Sequence, residues 1–335
     1  MTRARGAGDR ASMLQRAGAA LLALITVAAL AAPVLSPHAP GDVFRDRAFA
    51  PPMPPRLVDA EGRWRRPFVY PVRLADRLEQ RYEEDRSRVL PLAFFSGGRL
   101  ARLADEREGP WLPLGGDGSG RDLLTRLLFG ARTSLGVAVA AALGAILIGL
   151  ALGGLAGYAG GGVDEALMRF SEFVLVMPAV FVVLALRSAL PLVLPPAAVF
   201  GLMSAIFALV GWPWVARAVR GVIASERTRD YAVAARSLGA THTRLLVVHL
   251  LPACRRLLAA QAVLLLPSFV LAEATLSYLG LGFPDTTASW GSMLQDASDP
   301  NVLLRCPWTL APAGGIALVT LAVNLFLEAE PQPPR

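Results

Sequence analysis

The residues able to carry covalent chemistry are few in this 335-residue chain, and none is grouped for it. Three histidines (His38, His242, His249) and two cysteines (Cys254, Cys306) fall in no recognisable pattern. There is no HExxH pair to place two imidazoles on one helix face for zinc, no paired Cys motif and no GxSxG nucleophile turn. A phosphate-cradling GxxxxGK loop is impossible, because all 33 basic residues are arginine. The remaining candidates are acids embedded in apolar runs, Glu172 and Glu273. An ionisable group at membrane depth costs about 2.5–3.5 kcal/mol on insertion scales, so it faces the helix bundle or water. A membrane-embedded protease or transferase needs several such groups converging, and two isolated carboxylates do not supply them. The sequence therefore offers no catalytic residue and no metal site. Any nucleotide the system consumes must be bound by another chain.

The elements around these residues are apolar. The chain is 54% hydrophobic, with mean hydropathy +0.48. Uncharged runs extend over 17–37, 133–163, 188–216 and 306–327. A hydrocarbon layer about 30 Å thick needs about 20 apolar residues at 1.5 Å each, so these four runs can cross it. Two more, Met168–Leu190 and Leu257–Leu281, cross if Glu172 and Arg187 in the first and Glu273 in the second are tolerated. Lipid offers the backbone no hydrogen-bond partners, so each span is a helix. The fold class this predicts is an all-α integral membrane protein of about six transmembrane helices.

The formal charge of +7 sits on loops, not on a nucleic-acid face. Short arginine-rich loops lie on the cytoplasmic side. That places the tail 1–16 inside, and also the loop 217–256, whose eight arginines stand against only Glu226 and Asp230. Helix 1 (17–37) then leads to a stretch, 38–113, on the outer face, because loops beyond about 60 residues escape the charge rule. The core, 114–327, carries helices 2–6, and 328–335 ends inside. The N-terminal run is read as a retained anchor rather than a cleaved signal peptide. Within 38–113, a proline-rich stretch at Pro51–Pro55, an aromatic strand-like patch at Pro67–Val72, a charged helix-compatible stretch at Leu74–Arg88 and an apolar run at Leu90–Phe95 suggest a small folded insertion. Cys254 and Cys306 fall at opposite ends of the core on this topology, so no disulfide is expected.

In helix 2, Gly149, Gly153 and Gly157 repeat every four residues on one face, a spacing that lets another helix approach closely. The inner loop is the more informative segment. Asp230 can cap a short helix whose Ala232, Ala234 and Ala235 keep its surface small, and Gly239 can end it in a left-handed turn. A second helix from Thr241 to Leu251 follows, stopped by Pro252. Such a pair is a rigid lever attached to two spans, and a partner that moves it moves the membrane helices.

This lever resembles the EAA loop of ABC importer permeases. Ala234, Ala235, Gly239, Leu251 and Pro252 stand at the family spacing, and His249-Leu-Leu-Pro252 is similar to the HILP variant of its peptide branch. Val233 stands where the family has its signature Glu. Other motifs follow in family order. Leu114-Gly-Gly-Asp-Gly-Ser-Gly-Arg-Asp122 resembles LGTDxxGRD, with Gly115, Asp117, Gly120, Arg121 and Asp122 matching. Leu271–Gly282, with Glu273, Gly280 and Gly282, and Ser289-Trp290-Gly291-Ser292-Met293 resemble LAEASLSFLGLG and SWGSM. Together these cover 114–327.

The resemblance implies a type I ABC importer permease fold, of the C-type half of the dipeptide, oligopeptide and nickel family, with an enlarged outer loop. It further implies a non-catalytic subunit in a bacterial inner membrane, with both termini cytoplasmic. The partners implied are a second homologous permease, two ATPase subunits that bind ATP and Mg, an extracytoplasmic solute-binding protein and membrane lipid. Asp230, Ala234, Ala235, Gly239, His249, Leu251 and Pro252 would form the ATPase-coupling loop. Glu273 is expected to lock two helices, with lining the translocation path as the alternative. Asp117, Arg121 and Asp122 are expected to form a structural ion pair. Asp285, Ser289 and Trp290 either dock the binding protein or form a turn with an interfacial Trp. The rival readings are the same machine carrying nickel or another small solute, and a proton-coupled secondary transporter, which would leave the lever unexplained.

Overall fold

A computed structural model describes residues 2–76, 80–178, 181–182, 185 and 194–327. The long apolar runs fold as helices. α1 spans Thr2–Leu30 and is followed by the single turn α2, Ala32–Leu35. Then come α3 (Leu123–Ala159), α4 (Gly161–Val176), α5 (Pro196–Glu226), the short α6 (Asp230–Ser237) and α7 (His242–Tyr278). Two short helices, α8 (Trp290–Met293) and α9 (Pro300–Arg305), lead to α10 (Ala311–Leu327). Among the described residues, five segments are long and apolar enough to cross a membrane: Met13–Leu30, α3, α5, α7 and Pro307–Leu327. The expected third span, Met168–Leu190, begins in α4. Much of its second half, with Arg187, lies outside the described residues, as do 186–193 and the tail 328–335.

Helix α3 starts ten residues before the uncharged run that announced it, because Arg126 lies inside its first turns without interrupting it. At 37 residues and 1.5 Å each it is about 55 Å long, well beyond a hydrocarbon layer of about 30 Å.

The chain divides into two compact units, residues 1–135 with 274–335, and residues 136–273. In the first unit α1 lies along α10. Gly18 permits this, since a Cβ there would stand 2.5 Å from the Ala322 carbonyl oxygen and 2.6 Å from the Phe326 nitrogen. Between α2 and α3 the described residues form six strands: β1 (Arg56–Val58), β2 (Trp64–Val69), β3 (Val72–Asp76), β4 (Arg81–Glu84), β5 (Leu90–Ser96) and β6 (Arg99–Leu103). They make an antiparallel sheet of order β1-β2-β5-β6 and a separate β3-β4 pair. A core of Met53, Val69, Val72, Leu90, Leu92, Leu103, Trp111 and Leu112 holds them. The Trp111 indole donates to the Met53 carbonyl at 2.9 Å. All-α thus describes the membrane part, and this region adds β-structure to it.

The helix-compatible reading of Leu74–Arg88 is corrected. Its described residues pair as β3 and β4, with Leu74 opposite Tyr82 and Val72 opposite Glu84. The Tyr82 hydroxyl donates to the Ala48 carbonyl at 2.7 Å. Cross-strand pairing and a partly buried tyrosine outweigh the helix propensity of a charged stretch.

In the second unit the glycine face of α3 packs on α5. A Cβ at Gly149 would lie 2.5 Å from the Val215 Cβ, and one at Gly157 would lie 2.6 Å from the Arg220 carbonyl. Gly153 abuts the backbone of Ala216 in the same way. Phe207 stacks on Phe269 at 5.8 Å between ring centres, joining α5 to α7.

Candidate coupling loop and buried ion-pair cluster

Within the second unit, the chain leaves α5 through a turn stitched by side chains. Tyr231 donates to the Glu226 carboxylate at 2.7 Å, and Arg229 pairs with the same carboxylate at 3.1 Å. Arg229 occupies the N-cap position of α6, and no side chain caps it. Asp230 is therefore the first helical residue rather than the cap, and acts there through its charge at the positive end of the helix. This corrects the sequence expectation by one residue.

The C-terminus of α6 closes as Gly239 anticipates. Gly239 has φ +86. Its N–H donates to the Arg236 carbonyl at 3.0 Å, and the Ala240 N–H donates to the Ala235 carbonyl at 3.0 Å. These two bonds form a Schellman motif, which a left-handed residue at this position makes possible. Ala232 is buried, whereas Tyr231, Val233 and Leu238 are exposed, Leu238 at 88%. Ala234 is also exposed and Ala235 half-buried. The helix thus turns one small residue inward and an apolar row outward.

The second arm differs from expectation in an instructive way. Thr241 caps it, accepting from the Arg244 N–H at 3.3 Å. Pro252 does not stop it. A π-helical turn at Leu245–Leu250, containing His249, and a 3-10 turn at Leu251–Cys254 carry the helix past the proline into Arg255–Tyr278. Proline has no N–H and its ring collides with the preceding turn, and the changes of helical pitch absorb both. Leu250 and Cys254 are fully buried on this segment. The lever is consequently one body with the long helix that follows it.

The first unit holds a second constellation. The Gly115–Asp122 loop folds over itself through a bridge between Gly116 and Asp122. Asp117 accepts from the N–H groups of Ser119 (2.9 Å) and Arg121 (2.8 Å) and from the Arg121 guanidinium (2.7 Å). Arg121 also donates to the Asp285 carboxylate at 2.8 Å and to its carbonyl at 2.9 Å. Arg126, buried in α3, lies 3.3 Å from Asp117 and 3.5 Å from Asp285. Partial burial acts to raise the Asp285 carboxyl, but the Arg121 bond and the charges of Arg121 and Arg126 win and hold it below the usual carboxylate range. Asp296 accepts from the Gly118 N–H at 3.0 Å. Burial, with Asp117 and Asp285 nearby, pushes its carboxyl up.

Asp122 takes no part in the ion pair. It caps α3, accepting from the N–H groups of Thr125 (3.0 Å) and Leu124 (3.3 Å). Burial raises its pKa against those bonds. Ser289 caps α8 in a reciprocal box with Ser292. Trp290 is buried rather than interfacial, its backbone N–H donating to Ser134 Oγ at 3.1 Å and its indole to the Leu127 carbonyl at 3.1 Å. Gly291 lies against Ala274, and Gly282 against Ser277. Gly115, Gly120 and Gly280 take positive φ in their turns. Glu273 is fully buried. Glu172 is half-exposed, 3.7 Å from Arg217 and 3.8 Å from Arg169. Both cysteines are free and buried.

The tertiary structure thus gathers the 115–121 and 285–296 segments, while 230–252 forms its own site. The sequence reading missed Arg126, Asp296 and the pair of Arg220 with Asp164, which meet at 2.5–3.1 Å. Arg126 carried a signal: an arginine inside an otherwise apolar helix needs a buried partner.

Comparison with known proteins agrees with this layout. Residues 145–329 match the family model described as binding-protein-dependent transport system inner membrane component. The oligopeptide transport system permease protein OppC of Bacillus subtilis is 36% identical over 214 residues, covering 63% of this chain and 67% of the relative. The OppC protein of Lactococcus lactis subsp. cremoris is 30% identical, covering 64% of this chain and 71% of its own. The dipeptide transport system permease protein DppC of Bacillus subtilis is 39% identical, over 63% of this chain and 64% of its own. A family model spanning more than half of the chain, over the same helices that carry the lever, makes this protein a member of the binding-protein-dependent transport system inner membrane component family.

Proposed function

We propose that this chain is the peptide-conducting permease subunit of an ATP-driven importer, and that its 230–252 lever converts ATPase motion into alternating access. The observation that carries the reading is the unbroken helical path from Thr241 past Pro252 to Tyr278. A push on α6 reaches it through the Gly239 turn and is then transmitted along it with no break in the helix. The exposed face of Tyr231, Val233, Ala234 and Leu238 is the surface an ATPase would engage. Named relatives that are oligopeptide and dipeptide permeases support peptides as the cargo class.

The remaining parts follow from the same reading. A second homologous permease completes the pathway, two ATPase subunits bind ATP and Mg, and a solute-binding protein delivers cargo. The loop 217–256 and both termini face the cytoplasm, and the 38–113 insertion faces outward. The Asp117–Arg121–Asp285 cluster and buried Glu273 act as structural fasteners. Reconstituted proteoliposomes loaded with the two ATPases should take up labelled oligopeptides only with ATP. Uptake that persists without any ATPase would sink the proposal, and uptake of nickel in preference to peptides would replace its cargo.

A further inference from the structure

Arg227, the C-cap of α5, and Arg236, in the last turn of α6, converge on one pocket of about 420 Å³, lined also by Tyr158, Ala159, Thr228 and His242. The pocket lies wholly within the second unit. Its charge is offset in part, Asp164 being near enough to Arg227 for the two to interact. The neighbouring carboxylates are committed elsewhere: Asp164 to Arg220, Glu226 to Arg229 and Tyr231. Among the described residues no carboxylate pairs with Arg227 or Arg236, and Arg227 spends one N–H on the Tyr158 carbonyl at 2.9 Å. The Tyr158 hydroxyl meets His242 Nδ1 at 2.5 Å, and their rings pack edge-on at 5.8 Å.

Two guanidinium forks present many donors in a fixed geometry, matched by a tetrahedral anion with several acceptor oxygens and up to two charges. A carboxylate offers only two oxygens and one charge. The cavity is also larger than a bare ion needs, which leaves room for what the anion is attached to. We propose that this pocket binds a phosphate group, clamped by Arg227 and Arg236 with Tyr158 and His242 completing the shell, and that the bound group ties α6 to the ends of α3 and α5. A ligand there would stiffen the lever and set how readily it moves. The phosphate can belong to a free anion or to a phospholipid headgroup, since both present the same oxygens.

The test is binding, separate from transport, so that it stands or falls independently of the peptide reading. The full chain is placed in phosphatidylcholine nanodiscs and titrated with inorganic phosphate at constant ionic strength. In parallel it is placed in nanodiscs containing phosphatidylglycerol, and retained lipid is counted by native mass spectrometry. Phosphate binding that weakens at least tenfold in Arg236→Gln and recovers in part in Arg236→Lys supports a free anion. Preferential phosphatidylglycerol retention that Arg236→Gln abolishes supports a headgroup. Arg227→Gln, whose melting temperature reports whether the Tyr158 contact was needed for folding, should weaken the same binding. The proposal is overturned if neither probe binds, or if binding ignores Arg236→Gln in a normally melting variant.

Discussion

Arg121 and Asp285, 164 positions apart, are joined by two hydrogen bonds of 2.8 and 2.9 Å, one to the carboxylate and one to the backbone carbonyl. The guanidinium is held at its other side by Asp117 at 2.7 Å. One buried arginine thereby fastens the loop before α3 to the segment after α7.

Removing Arg121 and removing Asp285 should have unequal costs. The Arg121 side chain is 9% exposed and that of Asp285 59%. Arg121→Met leaves Asp117 buried with Arg126 at 3.3 Å as its remaining cation, so the loss should approach, without reaching, the ~3–5 kcal/mol of a fully broken buried pair. Asp285→Asn, near water and still able to accept, should cost about 1 kcal/mol or less. Thermal unfolding in detergent checks the order, and equal losses would contradict it.

The cluster also predicts a pH dependence with opposing signs. Asp285 has a lowered pKa, so its contribution is present above the ordinary carboxylate value of about 4 and fades as pH falls through its folded value. Asp296 has a raised pKa, so its contribution is full below about 4 and is lost as pH rises through its folded value. Asp296→Asn keeps an acceptor for the Gly118 N–H but cannot ionise. Relative to wild type, its melting temperature should rise as pH increases from about 4. A difference that is flat across pH would refute the assignment.

Glycine substitutions separate packing from propensity. Gly149→Ala places a Cβ at 2.5 Å from the Val215 Cβ, whereas Gly201→Ala in α5 meets nothing within 4 Å. Overpacking costs about 1–3 kcal/mol, while alanine in an open helical position gains up to about 1 kcal/mol. The first variant should melt lower than wild type and the second no lower.

Gly239 is the test of the lever. Nothing lies within 4 Å of a Cβ there, so the cost of Gly239→Ala is conformational, about 1–2 kcal/mol from φ +86 alone. Gly239→Asn, which tolerates the left-handed region better, should restore most of it. We expect ATPase stimulation in reconstituted complexes to fall in the alanine variant and recover in the asparagine variant, with the melting temperature following the same order. If stimulation is unchanged in both, the Schellman turn is not needed for coupling.

The lever's two corrections show where sequence reasoning stops. Asp230 was legible as an acid beginning α6, but the choice of cap between it and Arg229 depends on one backbone dihedral, set by the Tyr231–Glu226–Arg229 stitching. Pro252 was legible as a helix breaker, and proline does forbid a regular α-turn. Whether the chain ends or changes pitch depends on the burial of Leu250 and Cys254 on either side of it. The β-strands at Leu74 and Tyr82 failed for the same reason, since their stabilising partners lie across the sheet.

By itself the sequence determined that this chain spans a membrane by helices, because run length and the absence of charge are local properties and lipid leaves the backbone no other solution. Motif spacing further determined the lever's position and the left-handed turn at Gly239. Only the tertiary structure decided which charges meet. Arg121 and Arg126 both turned to Asp285, Asp296 to the Gly118 N–H, and Arg227 and Arg236 to a shared pocket with no carboxylate among its described lining residues. Charge pairing is a matter of distance and burial, and residues more than a hundred positions apart acquire both only when the helices pack.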